Sequence, residues 1–392
     1  MPVLNRIAEF HADMTAWRRD IHAHPELGFE EHRTSELVAA RLAEFGVEVH
    51  RGIAGTGVVG TLRGQGQGKR AIGLRADMDA LPMPEANSFE YASQNPGKMH
   101  ACGHDGHTAM LLGAARYLAE TRNFDGTVHF IFQPAEEGRG GGERMIQEGL
   151  FERFDCEQVY GMHNWPELPA NSIAVHPGPV MAAADQFTVF VDGQGGHAAM
   201  PHRTVDPVLV ASHIVTAAQS LVSRSTDPAD SAVLSITWIE AGTTYNVIPD
   251  HARLHGTVRT FTDEARERIP AQFERLVTSV AEAFGAKATL QYRRGYPSTV
   301  NTAAEAERAA EVAAKVVGQD RVVWDPAPSM AAEDFGYMLR QRPGCYVWLG
   351  HGGERGPACR LHNPNYDFND DILPTGASFW ATLVETLLPR SA

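Results

Sequence analysis

Lysine and long apolar runs are both scarce in this chain of 392 residues. Lysine occurs at only four positions, and the 34 Lys and Arg residues are outnumbered by 48 Asp and Glu residues, which gives a net charge of −14. Nucleic acids and anionic membranes bind basic surfaces, so neither is a predicted partner. No segment reaches the roughly 18 apolar residues that a membrane helix needs, so no membrane span is predicted either.

Cysteine is also rare, and no two cysteines form a C-x-x-C pair. A chain of this length can build its core without disulfides, so a reducing compartment is favoured. The first 26 residues carry acidic side chains throughout and lack an apolar run, which argues against a secretory signal of the usual form. The predicted location is the cytoplasm. The four cysteines are Cys102, Cys156, Cys345 and Cys359.

The order of apolar patterns predicts two domains, one inserted into the other. Helices alternate with buried strands over 1–181 and again over 297–392, which predicts a three-layer α/β domain with a largely parallel sheet. Between them, 182–296 follows the order β-α-β-β-α-β of a ferredoxin-like α+β unit. The Gly-rich "QGQGK" at 65–69 opens no helix, so it predicts a hairpin between its two flanking strands rather than a phosphate loop.

The stretch "MHACGHDGHTAM" places histidine and cysteine directly before a predicted helix. His100, Cys102 and His104 alternate, so an extended backbone would project all three to one side. Cysteine and imidazole are good ligands for zinc and related ions, although two ligands do not make a site. His100 is either a further site residue or a support for the loop. His107 falls on the apolar face of the helix and is predicted to pack there or to support the ligands, rather than to bind metal itself.

Three distant segments supply further ligand types. "FQPAEEG" presents Glu136 and Glu137, and in extended backbone these neighbours would point in opposite directions, one toward a metal and one toward water. His163 lies in "YGMHNWP", and His362 lies in "RLHNPNYDFND". Each segment adjoins a predicted strand, so we expect the four side chains to converge at one edge of the sheet.

These motifs, with "RRDIHAHPELGFEE", "LRADMDALP", "GGHAAMPH" and "NVIPD", together resemble the M20 peptidase superfamily. The resemblance extends nearly end to end and is to the branch of hippurate hydrolases, aminoacylases and auxin-conjugate hydrolases. It implies a zinc-peptidase-like catalytic domain with an inserted ferredoxin-like domain that serves as lid and dimerisation surface. The implied assembly is a homodimer, or a tetramer.

The resemblance also implies two divalent ions per subunit, zinc or else manganese, cobalt or nickel. Cysteine stands where most of the superfamily has a bridging aspartate, and Asp77 stands where a histidine ligand is usual, so His104 would compensate. Which ligand serves which ion stays open. The implied ligands are Cys102, His104, Glu137, His163 and His362.

The implied activity is hydrolysis of the amide bond of N-acyl-L-amino acids, either hippurate-like or N-acetyl, to a carboxylic acid and a free amino acid. Glu136 would act as general base and acid, and Asp79 would orient the metal ligands. His197 of the inserted domain would stabilise the oxyanion, reaching from a second subunit. Asn246 and Arg259 would bind the substrate carboxylate, because arginine's planar fork suits carboxylates. Their alternative roles are a turn former for Asn246 and a salt-bridge partner for Arg259.

Three other functions remain open at this stage. A dipeptidase or carboxypeptidase of the same superfamily is the nearest alternative. A thiol hydrolase would use Cys102 with a histidine, but it leaves the glutamates and distant histidines without a purpose. A non-catalytic ligand sensor needs no general base, so Glu136 argues against it. Glu333 and Asp334 in "MAAEDF" stay outside the predicted site.

Overall fold

The computed structural model describes residues 4–352 and 360–390, so Cys359 lies outside the described residues. The chain forms two compact units. The first unit comprises Met1–Val180, Val300–Ala327 and Asp334–Ala392, and the second comprises Met181–Thr299 and Pro328–Glu333. The predicted boundaries at 181/182 and 296/297 lie close to this division, which additionally assigns Pro328–Glu333 to the second unit. No helix in the described part of the chain is both long and apolar enough to span a bilayer.

Helices and strands alternate along most of the described chain. The helices are α1 Asn5–Glu9, α2 His11–Ala23, α3 His32–Glu44, α4 His104–Thr121, α5 Glu136–Arg139, α6 Gly141–Gln147, α7 Leu150–Arg153, α8 Pro207–Ser223, α9 Asp263–Ala283, α10 Ala303–Val317, α11 Phe335–Leu339 and α12 Leu373–Leu387. The strands are β1 Glu48–Ile53, β2 Gly57–Arg63, β3 Ala71–Asp77, β4 Thr127–Gln133, β5 Gln158–Trp165, β6 Ile173–Val175, β7 Gly178–Met181, β8 Ala183–Asp192, β9 Gly196–His197, β10 Ala232–Ala241, β11 Val247–Ile248, β12 His251–Thr260, β13 Lys287–Arg293, β14 Thr299–Asn301, β15 Val322–Trp324 and β16 Gly344–Gly350.

An eight-stranded sheet in the order β1-β2-β4-β3-β5-β16-β6-β15 forms the centre of the first unit. Its middle strands β4, β3, β5 and β16 are parallel to one another and almost entirely buried. Strands covered on both faces by helices are apolar throughout, which is why their sequences read as continuous hydrophobic runs. The carboxyl ends of these strands meet at one edge of the sheet, as the α/β prediction required.

One local prediction in the first unit is wrong. The strands flanking "QGQGK" do not form a hairpin, because β4 lies between them, antiparallel to β2 and parallel to β3. A turn-forming composition allows the chain to reverse but does not determine which strands pair, and the fully buried β4 needs a neighbour on each side. Residues 5–44 form three helices, which are separated at Phe10 and over 24–31; the second break contains Pro25 and Phe29, whose φ is 64°.

The second unit is an antiparallel sheet in the order β10-β12-β8-β13, with α8 and α9 packed against it. Along β8, Phe187, Val189 and Val191 alternate with less buried residues and face the helices. Helix α8 begins where the Asp206 side chain accepts the Val208 N–H, a typical N-terminal cap. The strand order and connections confirm the ferredoxin-like α+β architecture.

Candidate metal centre

The carboxyl ends of the parallel strands of the first unit carry most of the predicted site. Strand β3 ends at Asp77, and β4 is followed by a turn that contains Glu136. His163 lies near the end of β5, and helix α4 begins at His104. The polypeptide therefore brings these segments, which are far apart in sequence, to one edge of the sheet.

Main-chain carbonyl groups fix the orientation of two predicted histidine ligands. Nδ1 of His104 lies 2.8 Å from the Asp79 carbonyl oxygen, and Nδ1 of His163 lies 2.7 Å from the Asn164 carbonyl oxygen. A carbonyl oxygen only accepts, so each Nδ1 must donate, and a neutral ring then carries its lone pair on Nε2. Nε2 of His104 is buried and has no hydrogen-bond partner among the described residues, as expected of a nitrogen that awaits a metal ion.

The five predicted ligands fall into two groups that share one cysteine. The ligand atoms of Cys102, His104 and His163 lie within 4.8 Å of one another, with Cys102 Sγ 3.3 Å from His163 Nε2. The ligand atoms of Cys102, Glu137 and His362 also lie within 4.8 Å, with His362 Nε2 3.2 Å from Glu137 Oε1. Cys102 would therefore be available as a ligand to an ion held by either group.

The two glutamates do not lie in extended backbone, and the expectation that they point in opposite directions is wrong. Ala135 has a left-handed φ of 56°, and the chain turns into the short, irregular α5. The Asp79 carboxylate accepts the N–H groups of Glu136 at 3.0 Å and Glu137 at 2.9 Å. As a result, carboxylate atoms of both glutamates lie within 4.8 Å of a ring nitrogen of His104.

Burial and neighbouring charges keep the cysteine and one histidine neutral in the metal-free protein. Burial, reinforced by Glu137 and Glu136, raises the pKa of the Cys102 thiol well above its usual range. Burial and the adjacent His107 hold the pKa of His163 well below its usual value. The 3.3 Å contact of Cys102 with His163 is therefore not the thiolate–imidazolium pair that activates a nucleophilic cysteine.

The other histidine of this group lies among carboxylates. Burial opposes its protonation, but Asp77 and Asp79 outweigh burial and raise the pKa of His104 to about 10. A buried cluster that draws a proton so strongly has excess negative charge, which a divalent cation would neutralise. Nε2 of His104 has no hydrogen-bond partner among the described residues, and the surrounding donors are cysteine, histidine and glutamate side chains, so the site fits a divalent metal ion.

A buried hydrogen-bond network supports these ligands. His107 Nδ1 lies 2.6 Å from Asp77 Oδ1, and its Nε2 lies 2.7 Å from Asn164 Oδ1, so both ring nitrogens have partners. Arg75 donates to Asp77 at 2.6 Å and to Asp334 at 3.1 Å. Sequence reasoning left Asp334 out of the site and did not consider Arg75, although a charged residue in the middle of a fully buried strand was an available signal.

His100 does not join the cysteine and histidine beside it in any described ligand group. Its ring is buried, and neither nitrogen has a hydrogen-bond partner among the described residues. Burial lowers its pKa to about 4, so the ring is neutral. Of the two roles left open for His100, this placement favours support of the loop.

The three remaining predicted residues all belong to the second unit. His197 in β9 and Asn246 are neighbours, because β9 pairs with β11 and the Ala198 N–H donates to the Asn246 carbonyl oxygen at 3.1 Å. Arg259 lies on β12, where its guanidinium donates to the Thr257 hydroxyl and to the Val258 carbonyl oxygen. None of the described Asp or Glu residues forms an ion pair with Arg259, which disfavours the salt-bridge alternative.

Known sequences allow this centre to be classified. Residues 73–386 match the family model described as peptidase family M20/M25/M40. The chain belongs to this family. The resemblance found in the motifs is thereby confirmed.

Two relatives match three quarters or more of the chain. The hippurate hydrolase of Campylobacter jejuni is 40% identical over 383 residues, which is 98% of each chain. The N-acyl-L-amino acid amidohydrolase of Geobacillus stearothermophilus is 45% identical over 298 residues, 75% of this chain and 80% of the relative. One similar solved structure is that of the Bacillus subtilis YXEP protein, described as a dinuclear metal-binding peptidase of the M20 family. It superposes with a TM-score of 0.85 at 35% identity, and the match covers 97% of this chain and 99% of the YXEP chain. This M20 structure confirms the predicted fold class.

Proposed function

We propose that this member of the M20 family is a metal-dependent amidohydrolase that converts N-acyl-L-amino acids to a carboxylic acid and a free amino acid. The observation that carries the proposal is the convergence of five donor side chains in two groups that share Cys102, with Glu136 beside them. The relatives named hippurate hydrolase and N-acyl-L-amino acid amidohydrolase support the same substrate class.

Cys102, His104 and His163 would hold one divalent ion, and Cys102, Glu137 and His362 the other. Such ions, when bound, polarise a carbonyl group and acidify water toward a pKa of about 7. The thiolate and imidazole donors suit zinc, or else manganese, cobalt or nickel.

Glu136 would transfer the proton in this reaction. It takes a proton from the attacking water and returns it to the amide nitrogen, so that the C–N bond breaks and a neutral amine leaves. Its side chain is 7% exposed, and its Oε1 lies 3.3 Å from the Asp334 main-chain nitrogen, which restrains the carboxylate. Positioned acid–base catalysis of this kind contributes roughly 10²–10⁴-fold.

Recognition of the free carboxylate is proposed for the second unit. Arg259 lines a cavity of about 770 Å³ on the sheet, together with His255, Tyr292 and Arg293. An arginine whose described contacts are all neutral retains its capacity for a bidentate carboxylate. Asn246 would add a neutral donor.

His197 would donate to the oxyanion, because its Nδ1 accepts the Ala199 N–H at 3.1 Å and its Nε2 then carries the proton. In a homodimer this histidine would serve the neighbouring subunit. Whether it does so is tested by mixing subunits inactivated at His197 with subunits inactivated at Glu136, because complementation restores activity only if the site is shared.

Two other functions fit the site less well. A thiol hydrolase requires an ionised Cys102, whereas burial and the nearby glutamates raise the pKa of its thiol. A ligand sensor has no use for Glu136 in contact with the cluster. Chelator treatment separates the first alternative from a metal enzyme, since only the metal enzyme loses activity on chelation and recovers it when metal returns.

The decisive experiment measures release of free amino acid from N-acetyl, N-benzoyl and dipeptide substrates, with zinc, manganese, cobalt and nickel compared. We expect N-acyl amino acids to be cleaved and Glu136→Gln to lose about 10²–10⁴-fold in kcat while it keeps its metal. Preference for dipeptides would instead establish the dipeptidase or carboxypeptidase alternative. Full turnover by Glu136→Gln would refute the proposed role of that residue.

Assembly as a homodimer through the second unit is part of the proposal. Strand β10 is at an edge of its sheet, and within the described chain it pairs only with β12. Its Trp238 and Ile239 are more than half exposed, and Val208 and Leu209 of α8 are exposed as well. Unpaired apolar edges favour pairing with another chain. Light scattering after size exclusion distinguishes monomer, dimer and tetramer.

Location in the cytoplasm is likewise proposed. Cys102, Cys156 and Cys345 are free and buried in the described structure, which suits a reducing compartment. Cell fractionation with an antibody to the protein tests this point.

A further inference from the structure

Glu31 is a buried carboxylate that no step of the proposed reaction uses. It lies just before α3, is 0% exposed, and belongs to none of the described ligand groups. Its Oε1 accepts the Ala135 N–H at 2.8 Å, and its Oε2 accepts the Thr56 hydroxyl at 2.6 Å. No Lys, Arg or His forms an ion pair with it in the described chain. Burial, together with the charge of Asp79, raises the pKa of Glu31 to about 7.

The partner of Glu31 is the strained residue that begins the catalytic turn. Ala135 has a φ of 56°, a left-handed conformation that is unfavourable for an L-residue. The neighbouring Gly28 approaches closely as well, since a Cβ at Gly28 would lie 2.9 Å from the Ala135 Cα. Arg139, at the end of the same turn, donates to the Gly28 carbonyl oxygen at 2.9 Å. The 28–31 segment therefore contacts the turn at both ends.

Three successive amide groups of this turn are bound by two buried carboxylates. Glu31 accepts from Ala135, and Asp79 accepts from Glu136 and Glu137. Residues 136 and 137 carry the proposed general base and a proposed metal ligand, so the direction of these amides sets the direction of both side chains.

We propose that Glu31 is a positioning residue which, together with Asp79, holds the 135–137 turn so that Glu136 and Glu137 face the metal centre. The kinetic part of this proposal rests on the proposed function, whereas its structural part concerns only the conformation of the turn. In the described chain no hydrogen bond or ion pair joins Glu31 to a predicted ligand, so its proposed effect passes through Ala135.

Two substitutions at Glu31 separate the hydrogen bond from side-chain volume. Glu31→Met keeps a similar volume but offers no strong acceptor to Ala135. Glu31→Gln keeps the carbonyl oxygen for Ala135, and its NH₂ group can donate to the Thr56 oxygen instead. Thr56→Val is the matched control, because it removes the second hydrogen bond of Glu31 and leaves the bond to Ala135 in place.

The kinetic measurement compares kcat and KM for the best N-acyl amino acid with metal in excess. We expect Glu31→Met to lower kcat by about tenfold or more, with KM within about threefold, because it leaves the buried Ala135 N–H without an acceptor. Glu31→Gln and Thr56→Val should both stay within about threefold of the unchanged protein. A fall in kcat for Glu31→Gln equal to that for Glu31→Met would contradict the proposal.

The structural measurement uses chelator-treated protein and does not depend on activity. Amide hydrogen exchange of peptides covering 134–140 should be about tenfold faster or more in Glu31→Met and near normal in Glu31→Gln. In the unchanged protein, the Ala135 amide should be as protected as those of Glu136 and Glu137. An unprotected Ala135 amide there overturns the proposal even if Glu31→Met fails to fold. If no N-acyl amino acid is cleaved, the proposed function fails, while hydrogen exchange still decides the role of Glu31.

Discussion

Replacement of Asp79 by asparagine tests how the site is held together. In the folded protein Asp79 uses both carboxylate oxygens, Oδ1 for the Glu136 N–H and Oδ2 for the Glu137 N–H. Asparagine has one acceptor oxygen, so its NH₂ group would face one of the two N–H groups. His104 is unaffected in its main contact, because its Nδ1 donates to the main-chain oxygen of residue 79.

The expected loss follows from one missing hydrogen bond to a charged acceptor. Such a bond contributes about 1.5–3 kcal/mol, and each 1.36 kcal/mol corresponds to tenfold in rate. If this energy holds Glu136 or Glu137 in its reactive position, Asp79→Asn should lower kcat by roughly 10–150-fold. Because the substrate carboxylate is proposed to bind in the second unit, KM should change by less than about threefold. Metal affinity should fall by roughly 10–100-fold, the usual effect of disturbing residues that orient ligands.

A matched control is available in the second unit. Asp206 also accepts two main-chain N–H groups, those of Val208 and Leu209, but it uses Oδ1 for both. Asparagine can reproduce that pattern, so Asp206→Asn should keep kcat and stability close to normal.

The assay measures initial rates at saturating metal, with metal content determined by mass spectrometry on the same samples. If Asp79→Asn binds metal fully and its kcat is within threefold of that of the unchanged protein, the hydrogen bonds from the Glu136 and Glu137 N–H groups do not position the catalytic groups. Equal losses in Asp79→Asn and Asp206→Asn would point to a general effect of the substitution.

The remaining predictions concern stability. The pKa of His22 is raised to about 9, because its carboxylate neighbours outweigh burial. Protonated His22 should therefore stabilise the fold by about 3 kcal/mol below pH 6.5, and this contribution should be lost as the pH rises through 9. Urea unfolding of metal-free His22→Gln should lack this pH dependence. Asp185→Ala removes the carboxylate that binds buried Arg266 at 2.7 Å and should cost the second unit about 3–5 kcal/mol in urea unfolding, largely recovered in Asp185→Ala/Arg266→Met. Gly106→Ala places a Cβ 2.2 Å from the Phe368 ring and should lower the free energy of unfolding by about 1–3 kcal/mol, seen as a lower Tm; an unchanged Tm would refute this.

The sequence was sufficient to predict the architecture of each unit. Buried strands alternating with helices specified a parallel sheet, and the order β-α-β-β-α-β specified the ferredoxin-like unit. Convergence of the ligand-bearing segments followed, because the ends of parallel strands must meet at one edge. The structure brings Cys102, Glu137 and His362 within 4.8 Å although they come from distant parts of the chain.

The sequence pattern did not predict features that depend on contacts between distant parts of the chain. The position of β4 between β2 and β3 depends on the competition of all the buried strands for neighbours, which the composition of a single turn does not reveal. The shape of the 135–137 turn depends on Ala135 at φ 56°, a residue type that rarely adopts this conformation and gives no local signal for it. The carboxylates that accept the N–H groups of this turn, Glu31 and Asp79, lie far away in sequence.

Negative charge collects at this centre because carboxylates hold its other groups in place. Asp77 and Asp79 are not among the predicted ligands, yet both are buried, one in contact with His107 and the other with the main chain of the catalytic turn. Asp77 contacts a histidine that supports the proposed ligands, Asp79 contacts the turn that carries Glu136 and Glu137, and each adds charge that water does not screen. Arg75 balances only part of it, so burial of these carboxylates is favourable only with further positive charge nearby. The buried carboxylates thus have two effects: they hold neighbouring groups in place, and they leave negative charge that a divalent cation would neutralise. For this reason the supporting residues belong to the site as much as the ligands do.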